Sequence, residues 1–122
     1  MMNNHFYFVL IVFVIVILSF ACYNKIESFN KKSDNIEVLL FYTEWCKFSQ
    51  QMLPVWDKVI KAFNSKPIKF IKYDCDKNES KCKEFEIDYL PTIYLIKNKE
   101  KLKYTDDISY EQLGDFIFKN VD

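Results

Sequence analysis

Thirteen consecutive apolar residues, Phe6 to Leu18 (FYFVLIVFVIVIL), constrain this chain more than any other feature, because a segment apolar on every face belongs inside a protein or a membrane. Ser19-Phe20-Ala21-Cys22-Tyr23 extends the charge-free run to eighteen residues, and none of the 17 basic or 17 acidic side chains falls within the first 24 positions. Thirteen residues followed by the small residues of Ser19-Phe20-Ala21 suit a cleavable signal peptide, with a mature chain that starts at Cys22. Eighteen suit a single transmembrane anchor, and the absence of Lys or Arg from Met1-Met2-Asn3-Asn4-His5 favours that second reading. Residues 1–23 are therefore expected to be an anchor or a signal peptide. Residues 24–35 are expected to be a polar linker, with a helical turn or two around Ile26 and Phe29, and 36–122 a single folded domain. Lys25, Lys31 and Lys32 follow the run, and the positive-inside bias would hold that domain in the cytosol.

The domain itself is balanced in charge, which gives no electrostatic footprint for nucleic acid. Ile36 to Tyr42 (IEVLLFY) is an apolar run without helical period and predicts a buried strand. From Cys46 to about Phe63, apolar residues recur at intervals of three and four, which predicts an amphipathic helix kinked at Pro54. Ile68 to Tyr73 is a second strand and Glu79 to Phe85 a short helix. A third strand begins at Pro91 and turns at Asn98-Lys99-Glu100 into a fourth, Lys101 to Tyr104. Ser109 and Gln112 form a capping box that opens a last helix, with Leu113, Phe116 and Ile117 on its buried face. A strand, a helix and a second strand make a right-handed parallel crossover, and the tight turn adds an antiparallel edge. The expected fold is α/β, a mixed sheet with helices on both faces. Tyr42, Phe70, Tyr94 and Phe116 are expected in its core.

Cys46 falls where the first strand gives way to the long helix. Unpaired N–H groups there favour a thiolate over a thiol, and Lys47 adds a cation next door. A lone cysteine after a strand is more often an inert core residue. The flanking residues shift the balance toward a nucleophile.

Phe41-Tyr42-x-x-Trp45-Cys46, Pro54 eight residues after the cysteine, Tyr73-Asp74-Cys75-Asp76 and Leu90-Pro91-Thr92 together resemble the thioredoxin fold, most closely the protein disulfide isomerase family, from about Ile36 to Val121. The resemblance implies a three-layer sandwich with a reduced N-terminal part. It also implies a cis Pro91 facing Cys46, with Leu90 pairing its backbone to an extended substrate and Trp45, Phe48, Pro91 and Thr92 beside it. Trp45-Cys46-Lys47-Phe48-Ser49-Gln50 is similar to the Cys-x-Phe-Ser site of the endoplasmic reticulum chaperone that retains clients through mixed disulfides. The family's buried acid, six residues before the nucleophile, is here Leu40, and Ser49 stands where a resolving cysteine would be. Ser49 forms no disulfide, yet its hydroxyl can donate a hydrogen bond to the Cys46 thiolate. Without a second thiol the proton-relay acid has no task. Cys75 and Cys82 match a structural bridge of some domains of this family, and two buried free thiols are the alternative. A bridge would require an oxidising compartment, against the lysine bias.

His5, the only histidine, belongs to the N-terminal targeting segment, which excludes a Cys-His pair. Four cysteines without paired C-x-x-C spacing do not make a zinc site. Asn78-Glu79-Ser80 is a glycosylation sequon, and Cys22 sits at the membrane edge. The expected function is monothiol exchange: Cys46, assisted by Lys47 and Ser49, forms mixed disulfides with client proteins that carry free thiols or disulfides, and needs no cofactor or metal. The expected location is a single-pass membrane protein of the endoplasmic reticulum or secretory pathway with a lumenal domain. The alternatives are a membrane-anchored peptide-binding module without exchange chemistry and, with less support, a monothiol glutaredoxin-like protein. The latter lacks a glycine near Cys46 or a glycine pair after Pro91 to admit glutathione.

Overall fold

The structure is a computed structural model that describes residues 3–29 and 34–122. Its contacts divide the chain into two compact units, Met1–Ser33 and Asp34–Asp122. In the first, helix α1 spans Asn4–Phe29, and its Asn4–Tyr23 portion, 20 residues, is long and apolar enough to cross a membrane, a test that a signal sequence also passes. The helix continues into the stretch expected to be a polar linker, because no Gly or Pro interrupts it before Phe29. Residues 30–33 of that linker lie outside the described residues.

The second unit follows the order β1 (Ile36–Tyr42), α2 (Lys47–Ala62), β2 (Ile68–Asp74), α3 (Glu79–Glu84), β3 (Thr92–Lys97), β4 (Glu100–Lys103) and α4 (Tyr110–Val121). The strands form one sheet in the order β2-β1-β3-β4. β1 pairs in parallel with β2, from Ile36↔Ile68 to Tyr42↔Asp74, across the α2 crossover, and antiparallel with β3; β4 closes the sheet antiparallel to β3. The turn into β4 is tighter than expected. Asn98 and Lys99 both hold positive φ, 52° and 73°, so two residues suffice and Glu100 already pairs with Lys97. Such turns favour Asn-Gly, and the absence of that signature hid the register.

Period-two alternation in β1 and β3 sorts side chains to two faces. Val38, Leu40, Ile93 and Leu95 are buried on one, against Met52, Trp56 and Val59 of α2 and Leu113 and Ile117 of α4. Leu39 and Phe41 point to the other, against Cys82 and Phe85 at α3. Helices thus cover both faces, as the crossover requires. Tyr42, Phe70, Tyr94 and Phe116 are half-buried and pack against these two clusters from their margins.

Pro54 lies inside α2, which runs across it as one element. Pro54 offers no N–H to the carbonyl of Gln50, whose exposed position leaves that carbonyl to water. Ser109 caps α4 by accepting from the Gln112 N–H at 3.4 Å, while the Gln112 side chain reaches back to the Asp107 N–H at 2.9 Å. The reciprocal half of the capping box is therefore displaced by two residues, from Ser109 to Asp107.

Candidate functional site

Cys46 does not begin α2 but caps it, with extended backbone (φ −77°, ψ 121°), and its carbonyl accepts from the Gln50 N–H at 3.0 Å. A residue in that position faces the unpaired N–H groups of the first helical turn. The thiol is free and partly exposed. Its pKa lies below the ordinary thiol value, held down first by the backbone N–H of Ser49, then by the Ser49 hydroxyl and the Phe48 N–H, with partial burial working in the opposite direction. The cation of Lys47 is not among these causes. Lys47 is exposed, and water screens its ammonium from the sulfur. The contribution expected of it is supplied by the backbone.

Ser49 is completely buried beneath the cysteine. Its Oγ accepts from the Thr43 N–H at 3.4 Å, which leaves the hydroxyl proton for Cys46. Leu40, six residues before Cys46, is also fully buried and gives the region no acid. The Trp56 Nε1 and Thr43 Oγ1 atoms are buried without partners.

Opposite the cysteine stands the Leu90–Pro91 peptide, which is cis, with the Leu90 carbonyl 3.7 Å from Cys46 Sγ. Thr92 has a different place from the one expected of it. It is buried, and its hydroxyl donates to the Tyr89 carbonyl at 2.6 Å, so it clamps the turn that presents Leu90. Phe48, Leu90 and Pro91 do line one depression of about 180 Å³ beside the site, together with Met52, Tyr89, Ile93, Tyr104 and Asp106. Phe48 and Tyr89 are exposed large apolar side chains on its walls. Trp45 lies outside this groove. The residue is 71% exposed, and its indole N–H donates to Asp76 Oδ2 at 2.9 Å. The Asp76 N–H in turn donates to Asp74 Oδ1 at 3.0 Å, and Lys77 joins Asp74 and Glu44, both at 3.3 Å.

The groups that sequence reasoning missed are Tyr89, Asp76, Thr43 and Asp106. Tyr89 carried a signal, as an aromatic residue directly before Leu90-Pro91. Asp76 acts through a contact 31 residues away, Thr43 through its backbone N–H, and Asp106 by lining the groove, none of which a local pattern records. Cys75 and Cys82 form a disulfide with a Cα–Cα distance of 5.8 Å, tying the end of β2 to α3. Among the described residues no cluster of His, Cys, Asp and Glu is arranged to hold a metal ion.

The arrangement provides a cysteine whose thiolate is stabilised, a buried hydroxyl in place of a second thiol, and a cis-proline turn whose Leu90 carbonyl faces the sulfur. Comparison with known proteins is consistent with that chemistry. The family model described as Thioredoxin matches residues 20–119. Thioredoxin 2 of Plasmodium falciparum is 40% identical over 83 residues, 68% of this chain and 52% of its own length, so the chain spans about half of that relative. A solved structure of thioredoxin-2, described as a component of malaria parasite protein secretion machinery, superposes with a TM-score of 0.65 at 35% identity, covering 71% of this chain and 84% of that one. Human ERp44 in a zinc-bound form gives a TM-score of 0.67 over 74% of this chain and 28% of its own, at 24% identity, a likeness of fold alone.

Proposed function

The chain belongs to the thioredoxin family of thiol-disulfide oxidoreductases, and from that premise we propose that it is a monothiol exchanger that captures client proteins as mixed disulfides. The observation that carries this reading is the pairing of a thiolate-stabilised Cys46 with a fully buried Ser49 three residues on. In the exchange step the Cys46 thiolate attacks one sulfur of a client disulfide. The Cys46–client S–S bond forms, the client's own S–S bond breaks, and the displaced client sulfur leaves as a thiolate. The sulfurs are neither oxidised nor reduced in total. A second cysteine at position 49 would resolve this adduct; a serine hydroxyl cannot. The adduct persists until an external thiol or another client sulfur attacks it, so the protein isomerises or retains clients and does not turn over as an oxidase or reductase. The 3.7 Å approach of the Leu90 carbonyl to Cys46 supports pairing of an extended client strand alongside the thiol.

Anchoring by α1 and a domain on the lumenal side of the secretory pathway complete the reading, supported by the apolar length of Asn4–Tyr23 and the Cys75–Cys82 bridge. Acid quenching of cells, alkylation and non-reducing electrophoresis provide the test. High-mass adducts are expected in the wild type, absent with Cys46→Ala, and collapsed with Ser49→Cys, which restores a resolving thiol. Adducts that neither substitution alters would remove Cys46 from the mechanism and leave the domain as a peptide-binding module.

A further inference from the structure

The groove beside Cys46 has an asymmetry that thiol exchange alone does not require. Its floor is apolar: Met52, Ile93 and Tyr104 are buried there, and the Tyr104 hydroxyl is turned away to donate to the Asp107 carbonyl at 2.6 Å. Its far end is acidic. Asp106 lines the groove and Asp107 follows it, both exposed. Among the described residues neither carboxylate has a cation within salt-bridge distance, a state they share with Asp57, Asp76, Asp88 and Asp115. The loop's backbone is held in place at Asp107. The Tyr104 hydroxyl bonds the Asp107 carbonyl, and the Asp107 N–H donates to Gln112 Oε1 at 2.9 Å. Asp106 at the end of an apolar trough, with Asp107 next to it in the chain, forms a subsite for a cation on an aliphatic stem, which lays its methylenes on the floor and its charge at the rim. The field is strong enough to act on Tyr104, whose pKa is pushed up to about 12, first by burial and then by Asp106 and Asp107. Asp106 also borders a second depression that Lys119 lines, and Lys103 is engaged over the Tyr89 ring at 4.4 Å.

We propose that this groove selects extended client segments in which a Lys or Arg lies within a few residues of the reacting cysteine, its charge received by Asp106 and Asp107. The proposal rests on the exchange reading for its cysteine and on the groove's own geometry for its charge preference, and the two are separable by experiment.

Two peptides differing only by Lys or Glu three residues from a single cysteine are activated as mixed disulfides with nitrothiobenzoate and added to the full chain in nonionic detergent. Attack by Cys46 forms the Cys46–peptide disulfide, breaks the aryl S–S bond and releases the coloured aryl thiolate, the better leaving group. The Lys peptide is expected to react about fivefold faster at low salt, the order of effect of exposed charge pairs, with the ratio shrinking at high salt. Asp106→Asn combined with Asp107→Asn should bring the ratio near one; neither side chain makes a contact on which folding depends. In parallel, fluorescein-labelled peptides with Ser in place of the cysteine are titrated with the full chain and followed by anisotropy, which reads binding without exchange. A Lys preference in binding with no aryl release from either peptide would uphold the groove and overturn the exchange reading. Release at equal rates, a Glu preference, or a Lys preference that survives the double substitution would each overturn the groove proposal and leave exchange standing.

Discussion

At the scale of single residues, the site depends on what Ser49 does with one hydroxyl. It accepts from the Thr43 N–H and donates toward the Cys46 sulfur, so a buried polar atom is satisfied on both sides. Ser49→Ala removes both links. The Cys46 pKa should then rise toward the ordinary thiol value, and alkylation by iodoacetamide at pH 7 should slow by about threefold to tenfold, as expected for loss of one hydrogen bond of about 1 kcal/mol. The same variant leaves the Thr43 N–H without a partner and should lose roughly 1–3 kcal/mol of stability. An unchanged pH–rate profile would place the stabilisation wholly in the backbone N–H groups. The sign of the pH dependence follows from the lowered pKa. Cys46 contributes stability fully at pH above the unfolded thiol's pKa, and that contribution is lost as pH falls through the lower folded value. The cysteine's position at a strand-to-helix junction was legible in the sequence. The source of its activation was not, because Lys47 is a side chain that a sequence displays, whereas the N–H groups of Phe48 and Ser49 acquire direction only once α2 forms.

At the scale of elements, β1 and the crossover through α2 were legible because periodicity changes abruptly between Tyr42 and Cys46, from an unbroken apolar run to spacings of three and four. The hairpin was read less well. Asn98 and Lys99 adopt left-handed backbone without a glycine, so the turn is shorter than its composition suggested. Thr92 was likewise assigned to the substrate surface, though its hydroxyl serves the turn that holds Tyr89 and Leu90. The sole glycine carries a prediction here. Gly114 lies inside α4, and a Cβ built on it meets no atom within 4 Å. Gly114→Ala should therefore stabilise the domain by about 0.5–1 kcal/mol through the entropy of the unfolded chain. For a domain of this size that corresponds to a rise in Tm of about 2–8 °C, readable from the fluorescence of buried Trp56. A decrease would mean that α4 needs flexibility at this point. The tie between β2 and α3 carries another. Cys75 and Cys82 are 7 residues apart, a short loop whose closure contributes about 2 kcal/mol. Replacing both with Ser should lower the denaturation midpoint accordingly, and reduction of the wild type should produce the same shift. If reduction has no effect, the α3 packing of Phe85 against Phe41 holds this edge by itself.

For the whole molecule, two physical arguments oppose each other over which side of the membrane the domain occupies. Three lysines, at positions 25, 31 and 32, follow the apolar run and none precedes it, so charge bias favours a cytosolic domain. The Cys75–Cys82 bridge favours an oxidising compartment, since cytosolic glutathione and thioredoxin keep such pairs reduced. On the proposed reading, in which clients are retained as mixed disulfides, the second argument is the stronger, because the same reducing pool would also dissolve every adduct formed at Cys46. The sequence supplies its own reporter of the outcome. Asn78 of the Asn78-Glu79-Ser80 sequon is exposed immediately before α3 and within the same loop as Asp76. Translated in the presence of microsomes, the chain should gain one glycan, lose it with Asn78→Gln, stay in the membrane pellet after carbonate extraction, and resist added protease until detergent is present. A chain that pellets but remains unglycosylated and protease-sensitive would place the domain in the cytosol. Cys46 would then face a reducing pool in which stable client capture is impossible, and only transient exchange would remain.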